Sequence, residues 1–405
     1  MPEAVIVSTA RSPIGRAAKG SLKNVRPDDL AVQMVRAALE QVPELDHQQI
    51  DDLILGCGQP AGESGFNMGR VVAVLAGMDH VPGTTVNRYC ASSLQTTRMA
   101  MHAIRAGEGE VFLSVGVETV SRYGKGTADG VPGTGNPLFE DAGRRTGKLT
   151  EADGPWSDPR ADGLLPDVYI AMGMTAENVA RLRGVTRAEQ DEFGVRSQNL
   201  AEQALANGFW ERDITPVTLP DGTRVTADDG PRPGVTLEKV AQLAPVFRPD
   251  GTVTAGNCCP LNDGAAVAVI MSDAKAAQLG LTPLARIVST GVSGLSPEIM
   301  GLGPVEASRR ALAHAGMTIE DIDLVEINEA FAAQVIPSAR DLGVDIDDLN
   351  VNGGAIAVGH PFGMTGARIT STLINSLRFH DKELGLETMC VGGGQGMAMV
   401  IERLS

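Results

Sequence analysis

Apolar positions along this chain follow two alternating periods. Residues 4–8, 53–55 and 111–117 are short apolar runs with the length and residue types of buried strands. Between them the spacing becomes helical. Over residues 29–39, Leu30, Met34, Ala37 and Ala38 share one stripe, and Leu94, Arg98, Met101 and Arg105 recur at the same spacing, with Ile104 widening the apolar side. Strand-like runs alternating with amphipathic helices predict an α/β protein.

The same helix–strand order occurs twice. Residues 29–39 followed by 50–55 resemble residues 305–312 followed by 322–327, and Val86-Asn87 and Val351-Asn352 each open a helix entry. This predicts two similar α/β halves, with chance likeness of amphipathic pairs as the competing reading. Residues 121–250 differ, being rich in Gly, Pro, Asp and Arg. They hold one clear helical stretch, 186–207, opened by Thr186 with Glu189 three residues on, a capping-box spacing. The expected division is an N-terminal half (residues 1–120 plus 251–275), an inserted loop domain (121–250) that covers a site or builds an oligomer contact, and a C-terminal half (276–405).

Composition narrows the choices. With 3% aromatics and 48 glycines in 405 residues, the core must be Val, Leu, Ile, Ala and Met with close backbone approaches. A formal net charge of −16 argues against nonspecific nucleic-acid binding, and local arginines would have to steer any anionic substrate. No apolar run reaches membrane-spanning length, and neither end carries a recognised targeting signal. The five cysteines (Cys57, Cys90, Cys258, Cys259, Cys390) form no CxxC pair and no zinc-ligand spacing, which suits free thiols in a reducing, cytoplasmic setting.

Four segments carry candidate chemistry. Cys90 lies where a strand end meets a helix start, so unpaired N–H groups and the helix dipole are expected to favour its thiolate. On position alone a buried core thiol is an equal reading. His360 is wedged between glycines and a proline before a helix running to about His380, where it can exchange a proton near neutral pH. Cys390 precedes the glycine cluster Gly392-Gly-Gly-Gln-Gly396 in a predicted hairpin. An apolar strand-like run follows rather than a helix, which rules out a dinucleotide fingerprint and suits an acid/base thiol beside backbone donors. Asn328, after a strand, suits either a water-positioning amide or a helix N-cap.

Together these segments resemble the thiolase family over essentially the whole chain. The resemblance rests on Thr9-Ala-Arg-Ser-Pro-Ile-Gly15, Asn87-Arg-Tyr-Cys90, Thr254-Ala-Gly-Asn257, Asn262-Asp-Gly-Ala-Ala266, Asn328-Glu-Ala-Phe331, Gly359-His-Pro361 and Cys390-Val-Gly-Gly-Gly394. It implies duplicated α/β halves, with mixed five-stranded sheets sandwiching helices, and an inserted loop domain. It also implies ping-pong acyl transfer between 3-oxoacyl-CoA and CoA. Cys90 would be the nucleophile, His360 its activator and Cys390 the acid/base. His360 with a water held by Asn328 would form one oxyanion site; the N–H groups of Cys90 and Gly392 would form the other. CoA is a substrate and no metal or cofactor is implied. The expected assembly is a homodimer or homotetramer.

Several positions depart from the family pattern or bear on specificity. Ala171, before Met172-Gly173, replaces a histidine of short-chain biosynthetic thiolases, which favours a substrate bulkier than acetoacetyl-CoA. Cys259 stands where a serine hydroxyl would meet the pantetheine arm, and a thiol is a weaker donor. Ser93 replaces a glycine. Arg232 matches a CoA-nucleotide position, and Met172 and Phe331 fall in substrate-binding motifs. The alternatives are a biosynthetic acetoacetyl-CoA thiolase, a ketoacyl synthase on the same fold, which the second cysteine disfavours, and a non-catalytic CoA-binding homologue.

Overall fold

The computed structural model describes residues 2–150 and 154–405. Its principal strands are β1 Ala4–Arg11, β2 Asp52–Gly56, β3 Gly83–Val86, β4 Val111–Thr119, β5 Asn262–Ser272, β6 Ala285–Gly294, β7 Leu324–Ile327, β8 Leu384–Val391 and β9 Gln395–Arg403. The principal helices are α1 Pro27–Glu40, α2 Ser92–Ala106, α3 Met172–Arg183, α4 Arg187–Ala206, α5 Gly303–Ala315, α6 Ala332–Leu342 and α7 Thr365–Phe379.

The strands form one mixed sheet in the order β3-β2-β4-β5-β1-β6-β9-β8-β7. The first five and the last four are joined only by Val5↔Arg286 and Ile6↔Ala285. Outward from this seam, β1, β5, β4 and β2 repeat as β6, β9, β8 and β7, with the same sequence of antiparallel and parallel pairings. The counterpart of edge strand β3 is reduced to a single parallel bridge, Val325↔Leu349. The fold is thus the duplicated α/β arrangement, its second half-sheet having four strands and a bridge.

Strand alternation sorts side chains into layers. In β4, Val111, Leu113, Val115 and Val117 pack with Leu30, Met34 and Ala38 of α1, while Phe112 faces the opposite side. In β9, Met397, Met399 and Ile401 face inward and Ala398 and Val400 face α5 and α6. Helices α2 and α7 fill the middle: Leu94, Met101 and Ile104 pack with Ile369, Leu373 and Leu377 between residues of both half-sheets. They approach closely because Gly366 lacks a side chain; a Cβ there would lie 2.1 Å from the Leu94 nitrogen. Ser93 adds a cross-link, its Oγ accepting the Ala367 N–H at 2.9 Å, which gives this departure from the family pattern a structural effect.

The β4–β5 connection spans residues 120–261 and contains α3 and α4. Thr186 caps α4 as its spacing predicts: the Glu189 N–H donates to Thr186 Oγ1 at 3.2 Å and the Thr186 N–H donates to Glu189 Oε2 at 2.7 Å. Asp213 in this connection accepts from Arg11 Nε of β1 at 2.8 Å and from Ser371, Thr372 and Asn375 of α7 at 2.9–3.1 Å. Both charges are fully buried and Arg11 also pairs with Asp228, so removing Arg11 strands two buried carboxylates at a cost of about 3–5 kcal/mol.

Candidate active site

The chain leaves β3 at Val86 and enters α2 through a single turn of 3-10 helix, Tyr89–Ala91. Asn87 Oδ1 accepts the Tyr89 N–H at 2.7 Å, and Ser92 Oγ donates to the Tyr89 carbonyl at 2.7 Å. These bonds hold Tyr89 at φ +43°, a costly backbone for a non-glycine residue. The result is that Cys90 sits at the floor of a cavity, only 8% exposed.

The N–H groups of Gly392 and of Cys90 itself act on its sulfur and favour the thiolate, as the helix-entry position predicts. Burial outweighs them, the Glu118 carboxylate adds to it, and the thiol is pushed up to about 12. The backbone donors thus act in the expected direction, and burial makes a base necessary, the part the resemblance gives to His360.

His360 supplies a neutral imidazole. The His360 main-chain N–H donates to Asn262 Oδ1 at 3.0 Å, and Gly359 before it adopts φ +118° against the Asn262 and Ile14 side chains. Thr365 Oγ1 lies 2.7 Å from His360 Nδ1 and 2.8 Å from the Pro361 carbonyl. A hydroxyl has one proton; the carbonyl takes it, so Nδ1–H is the donor and Nε2 keeps its lone pair. Burial and then Arg368 lower His360 to about 3, so the ring is uncharged. Asn328 Nδ2 donates to Nε2 at 3.3 Å.

Asn328 is not a helix cap, since Phe331 occupies the N-cap of α6. Its N–H donates to the Thr388 carbonyl at 3.0 Å and its own carbonyl accepts from Gln334 at 2.8 Å. Its Oδ1 is buried with no protein partner. Cys390, fully buried near the end of β8, is held well above the usual thiol range by burial and then by Cys90. Cys259 is half-buried and raised by burial and then by Cys258, Cys90 and Cys390. The two buried thiols and Cys259 thus lie within electrostatic reach of one another.

Glu118, near the end of β4, carries no motif yet links three segments. Its carboxylate accepts the N–H groups of Gly58 at 2.7 Å and Gly363 at 2.8 Å, and the Tyr123 hydroxyl at 3.0 Å. Gly363 follows His360 closely, so Glu118 ties the histidine loop to the half that carries Cys90. Its one sequence signal is a charge at the end of an apolar run. Thr365 has an even fainter signal, a hydroxyl five residues beyond the histidine.

The cavity above Cys90 measures about 630 Å³ and is lined by Tyr89, Met172, Phe362, Gly392 and the 128–135 loop. Phe362 packs edge-to-face on His360 with centroids 5.2 Å apart, placing the imidazole behind the cavity wall. Ala171 lines an adjoining cleft of about 530 Å³. Phe331 is buried against Phe247, with centroids 6.0 Å apart. Arg232 lies exposed, its main-chain N–H held by Gln198 at 2.9 Å. Among the described residues no His/Cys/Asp/Glu group has metal-site geometry, and no helix is long and apolar enough to cross a membrane.

Two sequence profiles match the chain: "Thiolase, N-terminal domain" over residues 4–274 and "Thiolase, C-terminal domain" over residues 281–403. A 3-ketoacyl-CoA thiolase of Bacillus subtilis (strain 168) is 42% identical over 99% of this chain and 100% of its own. A beta-ketoadipyl-CoA thiolase of Acinetobacter baylyi is 41% identical over the full length of both. The crystal structure of the Bacillus anthracis acetyl-CoA acetyltransferase superposes with a TM-score of 0.87 at 41% identity, covering 100% of this chain and 99% of that one.

Proposed function

The chain belongs to the thiolase family and is an acyltransferase, and on that premise we propose that it cleaves 3-oxoacyl-CoA with CoA through an acyl thioester on Cys90. The observation that carries this reading is Cys90 at the floor of a cavity, with the Gly392 N–H at its sulfur and a second buried thiol, Cys390, within electrostatic reach.

Because Cys90 rests as a thiol and His360 as a neutral base, proton transfer accompanies attack instead of preceding it. The sulfur bonds to the 3-keto carbon as His360 Nε2 takes its proton. The bond between C2 and C3 then breaks, its electron pair goes to C2 of the departing acetyl-CoA, and Cys390 protonates that carbon. In the second half Cys390 removes the proton of incoming CoA. The CoA sulfur attacks the thioester, and Cys90 leaves and recovers its proton from His360. The N–H groups of Cys90 and Gly392, and His360 with a water held by Asn328 Oδ1, are the two sets of oxyanion donors. CoA acts as substrate and no cofactor takes part. Run backwards, the same steps condense two acyl-CoA molecules.

Ala171 beside an open cleft supports an acyl group bulkier than acetoacetyl, as in β-oxidation of fatty or related acids, over a purely biosynthetic acetoacetyl-CoA role. Met172 at the cavity, and Phe331 and Cys259, which pack in one cluster with it, are assigned to the pantetheine arm, and exposed Arg232 to the CoA nucleotide. A cytoplasmic homodimer or homotetramer completes the proposal.

The test is intact-protein and peptide mass spectrometry after incubation with a 3-oxoacyl-CoA lacking free CoA. The shortened acyl group is expected on Cys90 and is absent from Cys90→Ala. Failure to find it on the wild-type thiol overturns the reading.

A further inference from the structure

The cleft beside the catalytic cavity carries information about the far end of the acyl group. It shares Gly135, Tyr169 and Ile170 with the cavity, so the two spaces adjoin at these residues. Gly133, Gly135, Gly143, Gly147 and Ala171 give its wall small stretches beside the rings of Phe139 and Tyr169. Gly143 lies on the helix Glu140–Thr146, and a Cβ added there meets nothing within 4 Å. There is thus room for bulk beyond the reacting carbonyl.

The charges along this path are of one sign. Among the described residues no Lys, Arg or His lines either space, whereas Asp129 lines the cavity and Asp167 and Glu140 line the cleft. Asp167 is 4% exposed and accepts the Thr146 hydroxyl at 2.6 Å and the Tyr169 N–H at 3.0 Å. Asp129 accepts from Gln59 at 2.5 Å and from the Tyr89 hydroxyl. The nearest cations on the short helix already have acidic partners: Arg144 pairs with Asp141 and with Glu140 at the cleft, and Arg145 with Glu298. A carboxylate entering the cleft would lose water, compete with Glu140 for the one cation beside it, and approach buried Asp167.

Resting on the acyl-transfer reading above, we infer that the cleft receives the distal part of the acyl chain and selects for acyl groups uncharged at that end. The enzyme therefore takes neutral 3-oxoacyl-CoAs and discriminates against those ending in a carboxylate.

The experiment compares kcat/KM for a length-matched pair, 3-oxooctanoyl-CoA and 3-oxosuberyl-CoA, with the wild type and with Gly143→Lys. The wild type is expected to favour the neutral substrate by about tenfold or more, the scale set by an unpaired buried charge. Gly143→Lys is expected to reduce that ratio by about fivefold or more, by offering the carboxylate a partner. A wild-type ratio near one, or in favour of 3-oxosuberyl-CoA, overturns the inference while leaving the acyl-transfer reading intact. A folded Gly143→Lys with an unchanged ratio overturns the placement of the chain end in this cleft. Turnover of neither substrate removes the acyl-transfer reading and the inference with it.

Discussion

The two halves of the sheet share a strand order but use equivalent positions differently. Helix α2 is entered at Cys90 and its counterpart α7 at His360; because α2 and α7 pack side by side, duplication brings a thiol and an imidazole toward one point. The end of β4 carries Glu118, a carboxylate clamp, while the matching end of β8 carries Cys390, a second thiol. After β4 the chain wanders through residues 120–261; after β8 it reverses within Gly392, Gly393 and Gly394. One half thus builds the enclosure and the other sets the donors at short range. The comparison teaches that the tolerance of a position depends on which half it occupies.

Gly394→Ala strikes the tight turn and is the largest expected effect. Gly394 adopts φ +81°, and a Cβ would lie 2.3 Å from the Leu295 carbonyl oxygen. The turn must shift and Gly392 lose its aim, lowering kcat by about a hundredfold, the scale of one oxyanion donor. Unchanged steady-state kinetics in the folded variant would remove Gly392 from the mechanism.

Thr365→Val comes next. It frees the imidazole to place its proton on Nε2, and kcat is expected to fall by about 10–100-fold with KM little altered. Thr365→Ser should restore most of the rate. Failure of that rescue would assign Thr365 to packing alone.

Glu118→Gln separates clamp from charge. Loss of a negative charge near Cys90 lowers its pKa, so alkylation by iodoacetamide at fixed pH should quicken by about three- to tenfold while turnover falls. Slower alkylation contradicts this assignment. The smallest effect belongs to the long connection: Thr186→Ala should cost about 1 kcal/mol in chemical denaturation and leave kcat unchanged.

These contrasts explain what could be read in advance. Local information was legible: the stripe of α1, the capping box at Thr186, the strand–turn–helix placement of Cys90 and the hairpin around Gly393 all arise from neighbours in sequence. Pro27, in the first turn of α1, carries that helix two residues beyond its apolar stripe. Nonlocal information was not legible. Glu118 acts through Gly58 and Gly363, and its own segment holds no trace of them. Cys90 combines both kinds: its helix-start donors are written in neighbouring residues, while its desolvation comes from side chains arriving from both halves.

The seam has a further consequence, for biosynthesis. Strand β1 is made first, yet its two neighbours in the sheet, β5 and β6, begin at Asn262 and Ala285. During translation the β1 segment has α1 to pack against, but its sheet edges must wait until those later residues leave the ribosome. Such a chain should depend on chaperones holding its first strand, and truncation before β5 should yield insoluble product instead of a smaller folded half.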